Sequence, residues 1–256
     1  MKLEIMQHST IDKQEAKKFA HLAQEWWDAN GKLKPLHQMN PARLSFIKEQ
    51  IISHFNLSVT EHSYTPLKGV SVLDVGCGGG LVSAPIARMG ADVTGIDVVA
   101  DNIHIAQNYC SLHGITNAKF LQTTVEELVE SGQKFKAVVC LEVVEHVLNV
   151  PLFIHCLCQL LEKNGILIIS TLNRTLKSLA IAKFGAEYIA NILPRGTHDW
   201  RKFITPEELT SLLQQEQTEV INLKGLKYNF LIDEWHIDEK ELSINYILAA
   251  KRANSL

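Results

Sequence analysis

The chain of 256 residues has no apolar run approaching the ~18 residues that a membrane-spanning helix needs, so any contact with a bilayer is peripheral. A surplus of one charge is missing too. With 28 acidic against 25 basic residues, the net charge of −3 gives no global field for a polyanion, and nucleic acid is not an expected partner. The 14 glycines and 7 prolines are too few for a fibrous or linker-dominated chain. There is no internal repeat and no low-complexity tract. Cysteine is sparse and odd in number, and Cys77, Cys110, Cys140, Cys156 and Cys158 are scattered through apolar stretches. That excludes a disulfide framework and suits reduced, buried thiols. Cys156 and Cys158 are two apart and would point to different faces of a helix, against a metal or redox pair. Residues 1–19 mix acids and lysines without the apolar core of a signal peptide. The expected location is cytoplasmic, at most peripheral on the cytoplasmic face of the inner membrane.

What is present is an ordinary globular composition, 46% hydrophobic and 21% charged. Residues 10–28 carry Ile11, Phe19, Leu22, Ala23 and Trp26 at loosely helical spacing, with a stop at Asn30-Gly31. A second helix is predicted after Asn40, with Pro41 at its first position and Leu44, Ile47, Ile51 and Ile52 on one face. From Val70 onward, short β-branched runs at 70–75, 91–97, 118–122, 137–141 and 166–171 alternate with helical patterns. That alternation predicts an α/β fold, doubly wound around a mostly parallel sheet. The strand-like stretches 219–223 and 243–250 have no clear helix between them and predict an antiparallel edge hairpin. The division expected is an N-terminal helical cap over 1–66 and a catalytic domain over 67–256, forming one structural unit. An insertion at 172–203 is longer than a simple crossover requires and reads as a lid.

The segment Asp74-Val75-Gly76-Cys77-Gly78-Gly79-Gly80-Leu81 follows a predicted strand and opens a helix. Its glycines permit a tight turn and let backbone N–H groups approach a ligand. A dinucleotide fingerprint would place its third glycine at position 81, which is leucine, so a nicotinamide cofactor is the lesser reading. Asp97 ends the next strand, about 20 residues on, where a carboxylate can accept from both hydroxyls of a ribose. Alone, Asp97 would read as a cap or turn acid; with the glycine loop, the cofactor reading is stronger. The acid Asp74, the spacing Gly76-x-Gly78-x-Gly80 and the strand-ending Asp97 resemble the class I S-adenosylmethionine-dependent methyltransferases.

The fourth predicted strand runs into Leu141-Glu142-Val143-Val144-Glu145-His146. In a helical turn, Glu142, Glu145 and His146 would share one face, able to hold a divalent cation, or His146 could act alone as a general base. A plain solvated turn is the alternative. The Asn/Asp-Pro-Pro-Tyr/Phe motif of nucleobase amino-methylating enzymes is absent here, which argues against a base-methylating activity.

The flanks narrow the resemblance. Trp26-Trp27-Asp28, Gly31, Lys34-Pro35-Leu36-His37, Asn40-Pro41 and Arg43 are similar to the N-terminal signature of the ubiquinone biosynthesis O-methyltransferase family. So are Ser170-Thr171-Leu172-Asn173-Arg174, Gly185-Ala186-Glu187-Tyr188-Ile189 and Gly196-Thr197-His198-Asp199. Leu141, where a methionine is common, and Asn164-Gly165, in place of a Pro-Gly-Gly turn, depart from the family pattern. The resemblance implies methylation of a phenolic hydroxyl on polyprenylated catechol or quinol substrates at two steps of the pathway, with other pathway enzymes as possible partners. It also implies S-adenosylmethionine at Arg43, Gly76, Asp97 and Leu141, beside the Asp74 and Gly78 of the loop motif. Glu142, Glu145 and His146 match a divalent metal site described for relatives, for which Mg²⁺ is the expected ion.

His146 or His198 is the expected base, Glu142 the expected acidic partner in the catalytic group; His198 reads equally as a turn-capping loop histidine. In residues 172–195 a helical apolar pattern interleaved with Arg174, Lys177, Lys183 and Arg195 can lie in a lipid interface, or can be a plain lid. Trp26 and Trp27 can cover the cofactor or simply pack in the core. The functional alternatives are another small-molecule class I O- or C-methyltransferase, a nicotinamide oxidoreductase, or a cofactor-binding subunit without catalysis.

Overall fold

The computed structural model describes residues 9–20, 22–58, 63–179, 200–229 and 233–253. Where sequence spacing predicts alternating strands and helices, five strands pair in parallel: β1 (Ser71–Val75), β2 (Asp92–Asp97), β3 (Ala118–Gln122), β4 (Phe135–Leu141) and β5 (Leu161–Leu172). Between them lie α3 (Ser83–Arg88), α4 (Ala100–Leu112), α5 (Val125–Glu130) and α6 (Val150–Gln159), preceded by α1 (Lys13–Ala20) and α2 (Lys34–Phe55) and followed by α7 (Pro206–Gln215). Local chemistry fixes several starts. Thr124 with Glu127 and Thr205 with Glu208 form reciprocal capping boxes at α5 and α7, and Asn149 caps α6.

The strand alternation sorts side chains into two cores. Val72, Val93, Val139 and Ile168 face one side with Phe46, Ile47 and Ile51 of α2. Leu73, Val75, Val138 and Leu167 face the other, with Ile154 and Leu157 of α6 and Leu209 of α7. The central strands are therefore covered on both faces, as their near-continuous apolar runs require.

Three antiparallel pairings complete the sheet with β6 (Thr218–Asn229), β7 (Glu234–Asp238) and β8 (Asn245–Arg252), in the order β3-β2-β1-β4-β5-β8-β6-β7. The two stretches expected to form an edge hairpin do pair with each other, as β6 and β8. However, β8 lies inside the sheet against β5, which explains why Tyr246 through Ala250 are all buried, and the edge is β7, a polar strand that no apolar pattern announces.

Two helix boundaries also differ from expectation. The 10–28 pattern splits into α1 and a short 3-10 turn, Ala23–Glu25. The second helix begins about two turns early, at Lys34, with Pro35 in its first turn and Pro41 inside it. Leu33 and Leu36 pack with Trp26 and Leu81, so tertiary burial carries the helix through a residue that lacks an N–H. Among the described residues no helix is long and apolar enough to cross a membrane. All five cysteines are free and buried.

Candidate active site

The strand order reverses between β1 and β4, and in open α/β sheets ligands bind beyond the carboxyl ends of strands at such a switch. Here β1 runs into the glycine loop. Gly76 (φ +69°) and Gly78 (φ +52°) take left-handed conformations that a side chain disfavours. The N–H groups of Gly76 and Cys77 donate to the Ile96 carbonyl at 2.8 and 3.0 Å, tying the loop to the end of β2. Asp97 then accepts from Gly78 N at 3.0 Å and Val99 N at 2.8 Å. Burial raises the Asp97 pKa, and these backbone donors offset only part of the rise. Asp74 is buried beneath the loop, takes a 2.5 Å hydrogen bond from Ser83 Oγ, and is pushed up to about 6 by burial and by Asp97.

The N-terminal residues close over this loop. Trp26 lies so near that a Cβ at Gly78 would come within 2.2 Å of its ring and one at Gly79 within 2.5 Å. Its Nε1 donates to Asn102 Oδ1 at 2.8 Å, and Trp27 Nε1 donates to the Gly79 carbonyl at 2.9 Å. Trp26 is buried, and it also lines the cavity beside the loop.

At the end of β4 the three expected metal ligands diverge. Their common face presumes an α-helical turn, but Glu142 is left-handed (φ +54°) and only Val144–His146 form a 3-10 turn. Glu142 accepts from Ser170 Oγ at 2.7 Å and Asn245 Nδ2 at 3.2 Å, and lies 3.1 Å from Arg43 Nη2. Glu145 turns into the interior, takes a 2.7 Å bond from Thr171 Oγ1, and is raised to about 8 by burial and by Glu142. His146 points its Nδ1 at Glu15 Oε2, 3.0 Å away, under the edge of the Phe19 ring. Among the described residues no three of His, Cys, Asp and Glu are grouped to hold a metal ion. Mg²⁺ requires near-octahedral oxygen donors at about 2.1 Å, and this arrangement does not offer them. In this arrangement the expected Glu142, Glu145 and His146 are not grouped around a common point.

A cavity of about 360 Å³, within the range of small-molecule sites, joins these parts. Arg43, Asp74, Gly76, Asp97, Leu141, Glu142 and His146 all line it; Glu145 does not. His198, the second base suggested by sequence, lies outside the described residues. The Arg43 side chain is almost fully buried, yet Nε and Nη2 have no aligned hydrogen-bond acceptor, the 3.1 Å approach to Glu142 being an ion pair without that alignment. Such a guanidinium suits an anionic group entering the cavity. The wall also includes residues that sequence reasoning missed: Ile11, Glu15, Phe19, Asn102 and Asn245. The helical pattern around Phe19 hinted at a buried face, but no local signal pairs Glu15 with a histidine 131 residues away.

Residues 42–223 match the family model described as Methyltransferase domain. The chain is 45% identical over 246 residues to the ubiquinone biosynthesis O-methyltransferase of Azorhizobium caulinodans, covering 96% of each. It is 42% identical over 249 residues to the mitochondrial ubiquinone biosynthesis O-methyltransferase of Arabidopsis thaliana, covering 97% of this chain and 76% of that one. Among solved structures, magnesium protoporphyrin IX methyltransferase from Synechocystis PCC 6803 with bound SAM superposes with a TM-score of 0.63 at 16% identity, covering 96% and 100% of the two chains. That likeness is one of fold.

Proposed function

The chain belongs to the ubiquinone biosynthesis O-methyltransferases, and on that premise we propose that it methylates phenolic hydroxyls of polyprenylated catechol or demethylubiquinol acceptors, using S-adenosylmethionine. The observation that carries this reading is that one cavity is lined both by the Asp97-anchored glycine loop and by Arg43 and His146.

The residues present fit the methyl donor. Asp97 would take its ribose hydroxyls, the backbone around Gly76 and Gly78 would approach it closely, Leu141 would pack against it, and the unsatisfied Arg43 donors suit its carboxylate. When bound, S-adenosylmethionine supplies a sulfonium methyl group that an oxygen nucleophile takes in line. The protein must supply that nucleophile. A phenol titrates near pH 10, so at neutral pH only about one molecule in a thousand is the anion. Among the described residues His146 is the histidine that lines the cavity, and burial lowers its pKa, which favours a neutral ring able to accept the phenolic proton. Glu142 holds Arg43 in place. Ile11, Phe19, Leu36 and Val147 give the cavity an apolar wall that excludes water around the acceptor ring.

The test is turnover of prenylated catechols, demethylated quinols and unrelated phenols by the purified protein with methyl-labelled donor. Label is expected on the prenylated acceptors, and His146→Ala is expected to lower kcat by about 10²–10⁴. Label confined to other acceptors would move the protein to another small-molecule methyltransferase activity; undiminished kcat in His146→Ala but not His198→Ala would move the base to His198. We also propose that residues 172–195 contact a lipid surface that carries the acceptor, a reading supported by their basic and apolar composition.

A further inference from the structure

We infer that Asn40, on α2, binds the α-ammonium group of the methyl donor's amino-acid moiety through its side-chain oxygen, beside the Arg43 that takes the carboxylate. That role presupposes S-adenosylmethionine as the donor. Asn40 is 8% exposed and lines the cavity. Its Nδ2 donates to the Leu81 carbonyl at 2.7 Å, just past the glycine loop. A carbonyl can only accept, so this bond fixes which end of the amide is nitrogen and leaves Oδ1 turned away from Leu81. Oδ1 is buried, and no donor among the described residues reaches it. Buried acceptors are almost always paired, so one without a donor in a cavity wall suits a ligand that brings its own N–H.

Position selects the ligand group. Asn40 and Arg43 are three residues apart on one helix and so are neighbours on one face, with Leu36 and Met39 completing the stripe of α2 that lines the cavity. One turn of helix thus presents an unengaged acceptor next to the unengaged Nε and Nη2 donors of Arg43. An α-amino acid carries its ammonium and its carboxylate on a single carbon, and this pair of side chains matches them. Other acceptors of the wall are engaged: Asp97 by the Gly78 and Val99 N–H groups, Asp74 by Ser83, and Glu142 by Ser170 and Asn245. Glu126 also has one buried oxygen without a donor, Oε2, but it stands on α5, a different element from Arg43, and its Oε1 takes the Thr10 N–H at 2.8 Å. A neutral amide suits the place. It costs less to bury before the ligand arrives than a carboxylate at the same depth would, and it gains a charge-assisted hydrogen bond once the ammonium is there.

An Asn40 that served only to hold Leu81 would affect every ligand alike, so the test compares two ligands by calorimetry: S-adenosylhomocysteine and its analogue lacking the α-amino group. Wild type is expected to bind S-adenosylhomocysteine about 10–100-fold more tightly than the analogue, the range of a hydrogen bond to a charged group. Asn40→Leu, close in volume, is expected to weaken S-adenosylhomocysteine by about that factor and the analogue by no more than about twofold, so that the preference for the amino group disappears. Asn40→Asp, which keeps an oxygen but gives up the donor to Leu81, is expected to retain the preference. Should Asn40→Leu not fold, Asn40→Ala and Asn40→Ser take its place, since the preference is a ratio measured within one variant. Equal affinity of wild type for the two ligands overturns the inference without any variant. A preference that survives in Asn40→Leu overturns it too, as does its loss in Glu126→Gln alone, which would give the ammonium to Glu126. Should wild type bind neither ligand, the donor assignment itself fails; should it bind both while Asn40→Leu keeps the preference, only the role of Asn40 fails.

Discussion

Asp74 is a carboxylate with almost no access to water, satisfied by Ser83 and facing a second acid, Asp97. Its pKa rises from 3.8 to about 6, so between those values the folded protein holds a proton that the unfolded chain has released. Linkage then makes stability fall as pH rises from about 4 to about 6, with no further change above, by an amount on the order of 2–3 kcal/mol. Asp74→Asn keeps an acceptor for Ser83 and removes the titration. The variant is expected to gain thermal stability relative to wild type at pH 7, and the difference is expected to vanish toward pH 4; unfolding midpoints across that range check it. Sequence position alone marked Asp74 as the acid before the glycine loop. Its burial depends on Ser83 and on the neighbouring strand and was not legible there.

Among the elements, the contact of greatest consequence is the N-terminal cap on the glycine loop, because Trp26 occupies the space that a side chain at position 78 would need. Gly78→Ala combines a left-handed φ of +52° with a 2.2 Å collision, whereas Gly114→Ala has the strain of φ +65° with nothing within 4 Å. Strain alone costs about 1–2 kcal/mol, and overpacking typically adds about 1–3. Gly78→Ala should therefore unfold at a clearly lower temperature than Gly114→Ala and bind S-adenosylhomocysteine more weakly by calorimetry, while Gly114→Ala binds as wild type. The parallel half of the sheet was readable because buried strands leave β-branched runs and their turns need glycine. β7 was not, since Glu234-Trp235-His236-Ile237-Asp238 is a half-exposed edge strand specified by pairing with β6. The start of α2 was misplaced because Pro41 carries the same local signal whether it opens a helix or is tolerated inside one.

At the scale of the whole molecule, the proposed lipid contact must draw on charges that the fold has not already engaged. Arg174 pairs with Glu208, and Lys177 with Glu241 at 2.9 Å; Lys183 and Arg195, the other basic residues of 172–195, lie outside the described residues and are the ones to test. Leu148 and Leu176 add exposed apolar surface. Reversing both Lys183 and Arg195 to glutamate is expected to weaken co-sedimentation with anionic vesicles by about tenfold or more, at roughly 1 kcal/mol per charge, while S-adenosylhomocysteine binding stays unchanged. An intact protein that does not sediment with vesicles would remove the lipid reading. Of the candidate site, the cofactor side was legible because a loop and a strand end lie close in sequence. The base side was not, because its partners come from the two ends of the chain.

That last arrangement bears on how the protein is made. Asp12 meets Lys202 across 190 residues and Thr10 meets Glu126 across 116, so the segment that carries them is fully seated only once residue 202 has been made. Contacts of such separation carry the largest loop-closure cost and form late. A chain can thus form its glycine loop with β1 and β2 while these long-range contacts are still unmade, so cofactor affinity is expected to mature during folding before the capacity to turn over substrate.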